Sequence, residues 1–85
     1  MGDVGIEIRI MGSTPEVDLE QIKNKISETL NVQDYKIEPL AFGLKALVVL
    51  IVVPDKVGGQ MDNIENTIKG IEGVETVEVV NTTLI

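Results

Sequence analysis

The sequence predicts an α+β sandwich of order βαββαβ, a four-stranded antiparallel sheet with two helices on one face. Three observations lead there. Segments near both ends of the chain alternate apolar and polar residues with a period of two. Two other segments repeat apolar residues at the spacing of a helix. Between them, a glycine-containing break separates two further strand-like runs by few enough residues for a hairpin. At 85 residues the chain is expected to form a single domain, 1–85, around one small core.

The first strand is VGIEIRIM, Val4 to Met11. Val4, Ile6, Ile8 and Ile10 fall on one side, Glu7 and Arg9 on the other. GSTPEVD then interrupts the pattern with Gly12 and Pro15. From Asp18 to Leu30, residues Leu19, Ile22, Ile26 and Leu30 form one helical stripe. Asp18 with Gln21 three positions later reads as a capping box, and Glu16 and Glu20 suit the positive end of the helix dipole.

In DYKIEPLAF, Tyr35 and Ile37 alternate with Lys36 and Glu38, which predicts a second strand. Pro39 has no N–H to give to a ladder and fits best at a sheet edge. Leu44 to Val53 is the third strand, linked to the second through Phe42-Gly43. Residues 54–59 (PDKVGG) read as a loop. Met61, Ile64, Ile68 and Ile71 form a second helical stripe, ended by Gly70 or Gly73. Val77 and Val79 alternate with Thr76 and Glu78 in a last strand, Val74 to Val80, followed by a tail, Asn81 to Ile85. Two right-handed β-α-β units joined by a hairpin give the ferredoxin-like arrangement, with strand order 4-1-3-2 and the Pro39 strand at an edge.

Composition narrows the chemistry. Histidine and cysteine are absent, which removes the commonest general base, the Ser/His and Cys/His nucleophile pairs and thiolate or imidazole metal sites. Catalysis is disfavoured, and no cofactor or metal is expected. Asp55, Asp62 and Glu65 lack the ligand density of a calcium loop, and Gly58-Gly59 lacks the rest of a phosphate-binding motif. Seven basic against 14 acidic residues give a net charge of −7, unfavourable for a phosphate backbone. One Tyr and one Phe offer no platform for stacked bases. No direct nucleic-acid contact is expected, and a basic protein surface is the better partner. No signal peptide is visible, and the longest apolar run, Ala46 to Val53, is too short to span a membrane. A cytoplasmic monomer is expected.

Two features exceed what folding asks for. The third strand is apolar on both faces. Leu47, Val49, Ile51 and Val53 are assigned to the helices and Ala46, Val48, Leu50 and Val52 to the open face, rimmed by Glu7, Arg9, Lys36, Glu38, Thr76 and Glu78; both sets are apolar, so the reverse register stays open. That stripe is either a contact surface, or an ordinary slightly apolar surface or one covered by a tail. The chain's only phenylalanine, Phe42, sits beside Gly43 at a hairpin tip. It either folds back over the sheet edge or anchors a partner.

Across EPLAFGLKALVVLIVVPDKVG the sequence resembles the elongation factor one beta family, in its archaeal form. The family's aromatic-Gly turn, lysine, strand and acidic-Lys-Val-Gly loop correspond here to Phe42-Gly43, Lys45, the apolar strand and Asp55 to Gly58. The order of the helices and last strand also matches over essentially the whole chain. The resemblance implies a guanine-nucleotide exchange domain for the GTPase elongation factor one alpha, without covalent chemistry. It implies that Ala41, Phe42, Gly43 and Lys45 touch the GTPase near its nucleotide site, together with the end of the chain, Leu84 and Ile85. Eukaryotic relatives carry a lysine just before their last residue, which reaches toward magnesium. Leu84 stands there, so displacement of magnesium by tail charge is not expected. No tether to other subunits is expected either. The competing reading is an ACT-like ligand-sensing or oligomerisation module, which shares the element order.

Overall fold

The computed structural model describes residues 2–14, 16–54 and 60–84. Its elements are β1 (Asp3–Gly12), α1 (Leu19–Thr29), β2 (Val32–Pro39), β3 (Lys45–Pro54), α2 (Gln60–Lys69) and β4 (Val74–Leu84). The strands form one antiparallel sheet in the order β2-β3-β1-β4, which is the predicted order read from the other edge. The fold is ferredoxin-like.

The alternation in β1 decides which face is buried. Val4, Ile6, Ile8 and Ile10 stand opposite Val53, Ile51, Val49 and Leu47 of β3. Helices α1 and α2 close this face with Leu19, Ile22, Ile26, Ile64 and Ile68, all buried in one cluster with the strand residues. Among the described residues no polar or charged side chain is buried. The core therefore rests on apolar area alone, at about 25 cal/mol per Å² removed from water. The Met61 side chain, predicted to join the α2 stripe, lies outside the described residues, as do 55–59 of the predicted loop.

Helix α1 begins where predicted. Asp18 has extended backbone, and its Oδ1 accepts from the N–H groups of Glu20 (3.1 Å) and Gln21 (3.3 Å). Two amides of the first turn that lack helical partners are thus satisfied. Lys23 of α1 reaches over the edge of the sheet, with its Nζ 4.5 Å from the centre of the Tyr35 ring in β2. Helix α2 stops at Lys69, and Gly73, not Gly70, takes the positive φ of 96° that turns the chain into β4. A Cβ at Gly73 would lie 3.3 Å from Val17 Cγ1, so glycine also suits the close approach there.

Two strands run longer than their local sequence patterns. β2 starts at Val32, with a register shift between Val32 and Asp34 before the Tyr35–Ile37 alternation begins. β4 continues through what the sequence presents as a tail. A second shift, between Glu7 and Ile8 of β1, leaves Val80 as an extra residue, after which Asn81 to Leu84 pair with Glu7 to Val4. The reason is the length of β1: its first residues have free ladder groups on that side, and a bulge lets β4 reach them.

Candidate functional site

The hairpin between β2 and β3 carries four of the residues implicated by sequence. The Leu40 N–H donates to the Leu44 carbonyl at 2.7 Å, and the Leu44 N–H to the Ala41 carbonyl at 3.3 Å. Between them, Phe42 (φ 60°, ψ 31°) and Gly43 (φ 75°) both have positive φ, the sign pattern of a type I′ turn. The turn leaves the Phe42 ring 99% exposed. Of the two readings open for this residue, folding back over the sheet edge is therefore not the one the structure adopts.

Ala41, Gly43 and Lys45 are exposed alongside Phe42. Lys45 opens β3 opposite Pro39 and makes no ion pair among the described residues. The assembled site is an apolar ring on a hydrogen-bonded turn, with a cation three residues away that has no ion pair among the described residues. It contains no nucleophile, base or ligand set. Such a surface binds by burying the ring and steers by charge.

Leu84 is not part of this cluster. It stands opposite Val4, which in turn stands opposite Val53, so Leu84 lies level with the far end of β3. The eight steps from Lys45 to Val53 separate the two places by about 25 Å at ~3.3 Å per residue. Leu84 is 73% exposed. Ile85, the other tail residue implicated, lies outside the described residues. Of the residues implicated by sequence, Leu84 thus lies at the other end of the sheet from the Phe42 turn.

The open face is mostly covered by its own neighbours. Across the strands Arg9, Val48 and Lys36 form one row, Glu7, Leu50 and Asp34 the next, and Met11, Ala46 and Glu38 a third. Ala46 and Val48 are buried, and Leu50 and Val52 are half-buried. The aliphatic stems of flanking charged residues can shield apolar atoms in this way while their heads stay in water. Arg9 also pairs with Glu78 of β4 at 2.6 Å. Around Gly5, which offers no side chain, the face dips into a concavity of about 420 Å³ floored by Val48 and Leu50 and edged by Glu7, Asp34, Lys36, Asn81 and Thr83. Asn81 and Thr83 reach this rim only because of the β4 bulge.

Sequence reasoning missed Leu40 and Leu44, whose backbones close the turn. Their symmetric placement around Ala41-Phe42-Gly43 was the available signal. Among the described residues no group of three or more carboxylates could hold a metal ion, and no helix is long and apolar enough to cross a membrane. Asp55 and the Asp62 side chain lie outside the described residues.

Comparison with known proteins adds sequence to this geometry. A family model described as the EF-1 guanine nucleotide exchange domain matches residues 6–85. The chain is similar to a protein named elongation factor 1-beta from Methanoculleus marisnigri, 44% identical over 85 residues with both chains fully covered. It is similar to one of the same name from Methanospirillum hungatei, 46% identical over 86 residues, again covering all of each. Among solved structures, the solution structure of the ACT domain from GTP pyrophosphokinase of Chlorobium tepidum superposes with a TM-score of 0.71 at 24% identity, over 95% of this chain and 90% of that one. The crystal structure of that ACT domain gives 0.64 at 23% identity, over 92% and 99%. At these identities the ACT likeness concerns the fold alone.

Proposed function

This chain belongs to the family of EF-1 guanine nucleotide exchange domains, and on that premise we propose that it speeds GDP release from elongation factor 1-alpha so that GTP can rebind. The ligand-sensing alternative is not favoured, because the ACT domains share only the chain's fold. The observation that carries the reading is Phe42, the chain's only phenylalanine, held 99% exposed on a closed turn.

Exchange requires no bond to be made or broken by the factor. It requires tighter binding to the nucleotide-free GTPase than to the nucleotide-bound form. By linkage, the factor then weakens nucleotide binding by the same ratio. An aromatic ring entering a pocket that is open only in the empty GTPase supplies such a difference. Lys45 adds steering toward an acidic group but little affinity, since an exposed pair contributes about 0–1 kcal/mol. Leu84 brings no positive charge to the far end, so in this reading magnesium is loosened by another group or indirectly, by distortion of the pocket that holds the nucleotide. A GTPase that meets both the turn and the far end is engaged at points about 25 Å apart. The two ends therefore address different parts of the partner.

The test is release of fluorescent GDP from purified elongation factor 1-alpha, chased with excess unlabelled nucleotide, with and without this chain. Substoichiometric chain is expected to raise the release rate catalytically. A rate unchanged at saturating chain rejects the proposal.

A further inference from the structure

Phe42 is the one non-glycine residue with positive φ among the described residues. The left-handed region crowds the Cβ of an L-residue, and apart from glycine it is mainly Asn and Asp that enter it. A bulky residue there is an outlier. Among the described residues no contact of the Phe42 side chain offsets this strain: the residue is 99% exposed, and the two hydrogen bonds that close the turn run between its neighbours. At Gly43, a Cβ would meet nothing within 4 Å, although φ is 75°. Packing therefore does not require glycine at position 43; only the backbone conformation does. The two residues are coupled, because a type I′ turn needs positive φ at both central positions. When residue 43 resists the left-handed region, the turn relaxes toward type I geometry, residue 42 returns to the right-handed region, and the ring changes direction.

Resting on the exchange-factor reading above, we infer that Gly43 is a positioning residue, which holds Phe42 in a strained left-handed conformation so that its ring stands preformed for burial in the GTPase. The best residue at position 42 for folding is then Asn, and the best for binding is Phe. Strain of this kind, at an exposed position that over-determined neighbours hold in place, is characteristic of recognition sites.

The experiment compares the unaltered chain with Phe42→Asn, Gly43→Ala and Gly43→Asn. Three quantities are read: the thermal midpoint, the intraresidue HN–Hα NOE of residue 42, which is strong at positive φ, and the dissociation constant for nucleotide-free elongation factor 1-alpha well below the midpoint. Phe42→Asn is expected to raise the midpoint by about 4–8 °C while losing binding. Gly43→Ala is expected to weaken the residue-42 NOE and reduce affinity roughly 5- to 30-fold, as the binding-competent turn becomes a minor state. Gly43→Asn is expected to recover most of both, because Asn tolerates the left-handed region. A glycine needed only for stability would shift the midpoint and leave affinity and the NOE intact. That result overturns the inference, as does a Phe42→Asn midpoint at or below that of the unaltered chain. If the unaltered chain does not bind the GTPase at all, the exchange reading fails and the positioning role fails with it, while the midpoint of Phe42→Asn still reports whether the turn is strained.

Discussion

Leu84 stands opposite Val4 across the β1–β4 ladder, beyond the bulge at Val80, so residues that read as a loose tail are held in the sheet. The bulge also sets which way they face. Thr82 and Leu84 share the side of Ile6 and Val4, while Asn81 and Thr83 share the open face with Glu7 and Gly5.

The role of this segment can be separated from that of its last side chain. Leu84→Ala is expected to change stability by less than ~0.5 kcal/mol, because the side chain is mostly exposed, and to slow exchange only modestly. Truncating the chain after Val80 removes the residues that pair with Glu7 to Val4. That truncation is expected to lower stability well beyond Leu84→Ala, measured by urea unfolding, and to weaken exchange through the missing end. A truncated variant as stable as the parent would show that the pairing of Asn81 to Leu84 contributes nothing to the fold.

Phe42→Ala separates binding from folding. Removing an aromatic anchor costs about 2–4 kcal/mol of binding, or roughly 30- to 1000-fold in affinity for the empty GTPase. The ring is fully outside the core, so the unfolding free energy is expected to change by less than ~1 kcal/mol. Both are measured on one preparation. Normal GDP release combined with early melting would make Phe42 a packing residue.

Ile22→Ala reports on the opposite kind of position. Ile22 is 3% exposed and lies in the cluster beneath the helices, where truncation leaves a cavity as well as losing transfer energy. A loss of about 2–5 kcal/mol is expected in chemical denaturation, with exchange by the folded fraction unchanged. A loss near zero would mean the helix does not bury this face.

Asp18→Ala tests the start of α1. It removes the acceptor for two first-turn amides, at 3.1 and 3.3 Å, and is expected to cost about 1 kcal/mol. Asp18→Asn, which keeps a capping oxygen, is expected to recover most of that loss. Equal melting of Asp18→Ala and the parent chain would show that water replaces the cap without penalty.

Much of the architecture is written in local pattern. The Ile6-Ile8-Ile10 alternation, the Leu19-Ile22-Ile26 and Ile64-Ile68 stripes and the Asp18 cap each tie a residue's chemistry to a backbone period, so they are readable without knowing what lies across the sheet. Pro39 likewise excludes its strand from the centre because it lacks an N–H. The place of Phe42 at a hairpin tip follows from its glycine neighbour and the apolar strand beyond. What the tertiary structure decided lies where the period is absent or ambiguous. Ala46 to Val53 is apolar on both sides, and only pairing with β1 and β2 selects Leu47, Val49 and Ile51 for the helices. Asn81 to Leu84 has no alternation, and becomes strand because β1 has unpaired ladder groups to satisfy, which also carries Leu84 to the end of the sheet away from Phe42. The left-handed backbone of Phe42 has no signature of its own beyond Gly43. It is imposed by closure of the turn between Leu40 and Leu44, because hydrogen bonding across the two strands is a property of the pair and of neither segment alone.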